Sequence, residues 1–268
     1  MTGPHTDDPS AAFVRREDER GIAQLTLDRG ERINPLSFGM LEALEHELDR
    51  LREDSLTQVV VLRGAGRGFC AGHDLRELRA HLDDAAWLRD LFGRCARVMV
   101  KLTALPQPVI ARVHGIATAA GCQLVSMCDL AVASDTATFA LPGVNVGVFC
   151  STPAVGVVRN LGSKHTLEML FTGEPIDAAQ ALAWGLVNRV VPADRLDQEI
   201  ASLASRVAAR SPRVIALGKA AFYRQSELDL EAAYVLASEA MISNLRLADA
   251  AEGIDAFLGK RMPTWPAT

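Results

Sequence analysis

Apolar residues recur along this chain in two rhythms, short unbroken runs and stripes spaced three or four apart. Val14 to Glu17 and Gly21 to Leu27 predict a hairpin, and from Ser37 to Asp54 the apolar positions fall at Met40, Leu41, Leu44, Leu48 and Leu51. That spacing predicts an amphipathic helix with Ser37 as its cap. Gln58 to Leu62 (QVVVL) is a continuous β-branched run, as expected for a strand buried on both faces of a largely parallel sheet. Pro108 to Val113 (PVIARV) and Asp129 to Ser134 (DLAVAS) read as two more strands of that kind. Between the first two runs lie a glycine-rich turn, Gly64 to Gly72, and helical sequence over 74–79 and 84–105. Between the last two lie the small-residue stretch Gly115 to Gly121 and an apolar helix through Met127.

After Pro142 the pattern is helical through Arg159, over 164–171 and over 177–184, with one further strand at 188–191 and only helical periodicity from Ala193 onward. Alternating strands and helices imply α/β crossovers. The expected organisation is an α/β core over residues 13–192 and a helical C-terminal segment over 193–268, not two independent domains. Residues 1–12 (MTGPHTDDPSAA) combine turn formers and acids without periodicity and read as a frayed, disordered tail.

Composition adds limits. The 268 residues are 49% hydrophobic, enough for a sizeable core, and 28 Lys+Arg against 33 Asp+Glu leave a formal charge of -5. That balance argues against nucleic acid or an anionic membrane as a partner, so any anionic ligand must be met by local basic residues. No apolar run approaches the roughly 18 residues of a membrane span, and no basic-then-apolar secretory order opens the chain, so the expected location is the cytoplasm. Five cysteines without a CxxC pair or His at ligand spacing favour reduced thiols over a disulfide framework or a zinc site.

Gly66-Arg67-Gly68-Phe69-Cys70-Ala71 fits the dinucleotide-binding pattern G-x-G-x-x-A. It follows about the third strand instead of the first, however, and the acids at suitable distance, Asp83, Asp84 and Asp90, lie in helical sequence. A phosphate-binding Walker loop is excluded because no Gly-Lys-Ser/Thr occurs.

Two other segments put bare backbone at strand-to-helix turns: Phe69-Cys70-Ala71-Gly72-His73-Asp74-Leu75 and His114-Gly115-Ile116-Ala117-Thr118-Ala119-Ala120-Gly121-Cys122. Small residues admit a ligand to the peptide N–H groups, and at a helix N-terminus those groups are unpaired and suited to a developing oxyanion. Taken singly, either segment is better explained as a tight turn that lets helix and sheet pack closely. In order, the motifs F-C-A-G-x-D-L, P-V-I-A-x-V-x-G-x-A-x-x-A-G-C, C-D-x-A-V-A-S and F-T-G-E-P-I-x-A-x-x-A-x-x-G-L-V resemble the crotonase superfamily of enoyl-CoA hydratases and isomerases, from about Ile22 to Trp265.

The resemblance implies a ββα spiral core, a homotrimer or dimer of trimers, and a fatty acyl-CoA whose thioester oxygen meets the backbone N–H groups of His73 and Ala120. The CoA thioester would be substrate, and no separate cofactor is expected. Arg32, Asn34, Leu36, Arg67, Ala71, Gly72, Arg76, Gly121 and Asn145 fall where the family pattern contacts the ligand. Phe257 and Lys260 match positions that reach a neighbouring subunit's ligand.

The chain departs from the pattern at the chemistry. The family's two hydratase glutamates correspond to Gln123 and Gly143, and the acid used by dienoyl isomerases corresponds to Ser151. Neither Gln nor Gly exchanges a proton near neutral pH, and a well-placed acid or base contributes roughly 10² to 10⁴ in rate. Gln123 retains a hydrogen-bonding, positioning capacity. Cys150, beside a helix start, is a candidate nucleophile or a buried thiol, and Asp74 reads as structural. The expectation is therefore an acyl-CoA-processing enzyme of the lyase or isomerase kind with an atypical site, against a non-catalytic acyl-CoA binding or scaffold protein of fatty-acid metabolism.

Overall fold

A computed structural model describes residues 13–265; the tail expected at 1–12 lies outside the described residues. The chain opens with β1 (Val14–Glu19) and β2 (Ile22–Leu27), an antiparallel hairpin closed at Glu19↔Ile22 by Arg20 and Gly21, both at positive φ (51° and 76°). That pair of left-handed residues matches the twist of a two-residue hairpin. The helix α1 (Phe38–Arg52) follows, with the Ser37 side chain accepting a hydrogen bond from Met40 N–H. Next come β3 (Val59–Gly64), α2 (Leu75–Ala80), α3 (Ala85–Ala104) and β4 (Val109–Val113).

The central part holds β5 (Ile116–Thr118), α4 (Ala120–Met127), β6 (Leu130–Ser134) and β7 (Thr138–Ala140), and a 3-10 turn, Pro142–Val146, leads to α5 (Ser151–Thr172). Gly162, at φ 72° and ψ 172°, breaks α5 between the two helical stretches expected from sequence. After β8 (Ile176–Asp177), α6 (Ala178–Trp184) and β9 (Arg189–Val191), the chain is helical: α7 (Leu196–Ala208), α8 (Pro212–Gln225), α9 (Leu230–Leu245) and α10 (Ala248–Leu258).

Two sheets result. The larger runs β1-β2-β3-β4-β6-β9 and is parallel beyond its first pair; the smaller runs β5-β7-β8. One face of the large sheet joins the main core with α1, α3 and α4. On the other face, Val59, Val61, Ile110 and Val132 pack against Leu196, Ile200, Leu203 and Ala204 of α7. Burial on both faces is what the unbroken β-branched runs require. Helix α7 thus completes the core even though it lies beyond residue 192. The small sheet has no counterpart in the sequence reading, because strands of two or three residues leave no period to detect. Among the described residues no helix is long and apolar enough to cross a membrane.

Candidate active site

The site forms where the two sheets meet. The turn after β3 is stitched to β5: Phe69 and Cys70 N–H both donate to Ile116 C=O (2.9 and 3.1 Å), and Thr118 N–H donates to Cys70 C=O (3.0 Å). Gly72 C=O then accepts from Leu36 N–H (2.8 Å), which carries the chain to Asp74, whose carboxylate caps α2 through Arg76 and Glu77 N–H. The start of α4 presses on the same turn. A Cβ at Gly121 would lie 2.2 Å from Cys70 C=O, so only glycine permits this approach.

Ala119, directly before α4, has φ 51° and ψ -119°, a region costly for any residue with a side chain. Its N–H is held by Ala140 C=O of the small sheet (2.9 Å). The surrounding hydrogen bonds impose the strain and aim the next peptide group, that of Ala120. Among the described residues, neither His73 N–H nor Ala120 N–H donates to any acceptor. Ala120 N–H also stands at the positive end of α4.

Both residues wall a cavity of about 260 Å³. Apolar side chains dominate it, among them Leu75, Leu78, Phe92, Val148 and Phe149, and no Asp or Glu lines it. A larger cleft of about 510 Å³ lies between the large sheet and α7, where Arg112 is paired with Asp197 (2.5 Å). Its size is no argument for it, because the unpaired N–H groups, the strained residue and the apolar lining all belong to the smaller cavity.

His73 contributes its ring to that wall. The imidazole stands edge-on to Phe92 at 5.1 Å, its Nε2 is buried without a partner, and burial pulls its pKa down to about 4. At neutral pH it is uncharged. Gln123 lies one turn beyond Ala120 on α4 and is 4% exposed, with a buried Oε1 that no donor reaches. Cys150 faces the cavity and accepts from Gly143 N–H at 3.3 Å; burial raises its thiol pKa, opposed in part by that bond. Burial likewise pushes Cys70, Cys95 and Cys122 up to about 12.

The residues singled out in the sequence thus divide. Ala71, His73, Ala120, Gly143 and Asn145 line the cavity, with Asn145 Nδ2 3.4 Å from Gly173 C=O. Gly72 and Gly121 form the junction behind it. Ser151 is exposed at the start of α5 and is not part of the wall. Asn34 requires a correction: its Nδ2 donates to Ala65, Gly68 and Phe69 C=O (2.9, 3.1 and 3.0 Å) and its Oδ1 accepts from Arg29 N–H (2.9 Å). Fully buried, it ties the turn together and has no side-chain atom left for a ligand. Leu36 is also fully buried, so its side chain is core and not a ligand contact. Arg32, Arg67 and Arg76 are exposed, and none is ion-paired among the described residues. Phe257 is 82% exposed on α10, and Lys260 follows that helix. The features that sequence reasoning missed are the strain at Ala119 and the unpartnered His73 Nε2 and Gln123 Oε1, which depend on packing between distant segments.

Comparison with known proteins gives the context. A family model described as enoyl-CoA hydratase/isomerase matches residues 17–268. Enoyl-CoA hydratase domain-containing protein 3, mitochondrial, of Rattus norvegicus is 46% identical over 263 residues, covering 98% of this chain and 86% of the relative. Among solved structures, an enoyl-CoA hydratase of Mycobacterium smegmatis superimposes with a TM-score of 0.92 at 51% identity, covering 94% of this chain and 98% of the other. Human enoyl-CoA hydratase domain-containing protein 3 gives 0.91 at 45% identity, covering 94% and 100%. The crotonase-like fold expected from the motifs is therefore the observed one. The cytoplasmic expectation is overturned, because the relatives from rat, mouse and human are all named mitochondrial. The absence of a secretory pattern says nothing about which compartment inside a cell a protein occupies.

Proposed function

The chain belongs to the enoyl-CoA hydratase/isomerase family, and on that premise we propose that it binds acyl-CoA thioesters and stabilises a thioester enolate between the N–H groups of His73 and Ala120. The observation that carries this reading is the pair of unpaired N–H groups at the wall of an apolar cavity. Donors fixed in a water-poor site need no reorganisation as charge develops on the oxygen, and losing one such donor costs about 3 kcal/mol in enzymes where it has been tested.

The reaction is one that needs no protein carboxylate. Hydration needs a base on water and an acid at the α-carbon, and the cavity wall holds neither. Cleavage of a malonyl-type thioester needs neither: the C2–C3 bond breaks, its electron pair passes into C2 and the thioester oxygen, carbon dioxide leaves, and water returns a proton to C2. Thioester cleavage draws on the same oxyanion pair. Arg32, Arg67 and Arg76 supply local positive charge for the CoA phosphates within a chain of net charge -5. Self-association as a homotrimer or dimer of trimers would cover the apolar residues exposed on α9 and α10, among them Leu230, Tyr234, Met241 and Leu258, and bring Phe257 and Lys260 to a neighbour's ligand.

A second reading, an acyl-CoA binding or scaffold protein without turnover, draws on the same lack of carboxylates. Purified protein assayed on enoyl-, 3-hydroxyacyl- and malonyl-type CoA thioesters separates the two. Release of carbon dioxide or free CoA with no crotonyl-CoA hydration supports the enzyme. Binding without turnover of any member supports the scaffold, and efficient crotonyl-CoA hydration overturns both.

A further inference from the structure

The cleft between the large sheet and α7 carries chemistry of its own, apart from the acyl cavity. Side chains alternate across a sheet, so Arg63 shares the face of Val61 and Arg112 that of Ile110, the face that packs on α7. The two arginines are register partners on the adjacent strands β3 and β4, and both line the cleft. Like charges this near repel one another unless an anion stands with them. The cleft wall holds two carboxylates for its three arginines: Glu19 pairs with Arg20 at 3.6 Å and Asp197 with Arg112 at 2.5 Å. Arg63 has no ion pair among the described residues.

The donors of this pair are under-used. Arg63 makes one side-chain hydrogen bond, from Nη1 to Gln24 Oε1 at 3.2 Å, and its Nε is buried with no partner. Arg112 bonds Asp197 through Nε alone. Arg63 Nη2 and both terminal nitrogens of Arg112 donate to nothing among the described residues, yet they are not closed off from solvent as Arg63 Nε is. Opposite them α7 presents Ala201, Ala204 and Ala208, spaced three and four apart on one face, so the helix side of the cleft is small and apolar.

We propose that this cleft is a second ligand site, for an organic carboxylate whose head group is held by Arg63 Nη2 and the terminal nitrogens of Arg112. Its hydrocarbon body lies along the alanines of α7. A guanidinium fork matches the two oxygens of a carboxylate. The single uncompensated charge, that of Arg63, balances a monoanion and falls short of a phosphate dianion. A hydrocarbon body also uses the apolar wall, which a free inorganic ion cannot. The site stands independently of the acyl-CoA reading above.

Isothermal titration of the full chain with hexanoate, 1-hexanol and inorganic phosphate tests the proposal. Wild type should bind hexanoate at least tenfold more tightly than 1-hexanol, and more tightly than phosphate. Arg63→Met breaks no ion pair, so it should melt no lower than wild type without ligand, and it should bind hexanoate about tenfold more weakly or worse, the worth of a charged hydrogen bond. Arg63→Lys keeps the charge but loses the fork and should fall between the two. Should Arg63→Met fail to fold, Arg63→Lys and the wild-type comparison of the three probes still decide. No hexanoate binding by wild type, equal binding of 1-hexanol, tighter binding of phosphate, or hexanoate affinity unchanged in the Arg63 variants would each overturn the proposal. Displacement of hexanoate by butyryl-CoA would also overturn it, by placing the carboxylate in the acyl cavity.

Discussion

Two of the places where the molecule buries polar groups treat them in opposite ways. Beneath α8, Asp129 accepts hydrogen bonds from Val109 N–H (2.6 Å), Lys219 Nζ (2.6 Å) and Tyr223 Oη (2.9 Å), and Lys219 also donates to the carbonyls of Leu102 and Gln107 (both 2.9 Å). Burial lowers the Lys219 pKa and Asp129 opposes that, so every polar atom of the knot has a reason to stay charged or bonded in place. At the cavity, two backbone N–H groups have nothing to bond, and neither has the buried Nε2 of His73 in its wall. A satisfied cluster fastens one element to another, here α8 to the ends of α3, β4 and β6. An unsatisfied one gives up stability that only a ligand can return.

The comparison breaks most visibly at the knot. Asp129→Ala strands a buried ammonium and is expected to cost about 3–5 kcal/mol in denaturant unfolding. A loss below about 1 kcal/mol would mean the knot fastens nothing. Gly143→Ala comes next. The new Cβ would sit 2.6 Å from Val148 C=O and 2.9 Å from Cys150 Sγ, an overpacking expected to cost about 1–3 kcal/mol. The same contacts mean that a glutamate cannot be restored at 143 without moving the loop, so a search for latent hydratase activity should use Gln123→Glu alone.

Substitutions at the cavity wall and on the α4 turn behind it should run the other way. Gln123→Leu removes an orphaned acceptor and should leave stability unchanged or raise it by up to about 1 kcal/mol. Ala119→Gly relieves a strained φ and should add about 1 kcal/mol, with weaker ligand binding as its aim at residue 120 loosens. Loss of stability in both variants would contradict the division drawn here.

The pH dependence has a definite sign. Unfolded His73 takes a proton near its ordinary 6.5, the folded residue only near 4. Between those values protonation favours the unfolded chain, so stability contributed by neutral His73 is present above about 6.5 and is lost as pH falls toward 4. His73→Leu should flatten that part of the profile, and an unchanged profile would remove His73 as its cause. The smallest effect concerns Cys150. With its thiol pKa raised, it should react with iodoacetamide at pH 7 more slowly than a free thiol. A faster reaction would restore it as a nucleophile.

Much of the frame was legible because it follows from burial. The run 59–62 of β3 sits between two layers and must be apolar throughout, and α1 needs a striped face with a serine at its start. The small sheet was not legible, since its strands are too short to show a period, yet it holds Ala119 in place. At the site, the resemblance to the family pattern marked where its acids are replaced, but not why position 143 cannot take one back. That Val148 and Cys150 close over Gly143 is a property of the folded loop. Asn34 reads as a ligand contact in sequence because it lies in a ligand-binding motif, whereas four hydrogen bonds commit it to the turn. Only tertiary packing decides which polar atoms are left over.

The central claim, that the thioester oxygen lies between the N–H groups of His73 and Ala120, is tested most directly by infrared difference spectroscopy of an acyl-CoA carrying ¹³C at the thioester carbonyl. Two preorganised donors polarise that bond, so on binding its band should move to lower wavenumber, and it should move back part of the way in Ala119→Gly. A bound ligand whose carbonyl band stays at its position in water would contradict the account.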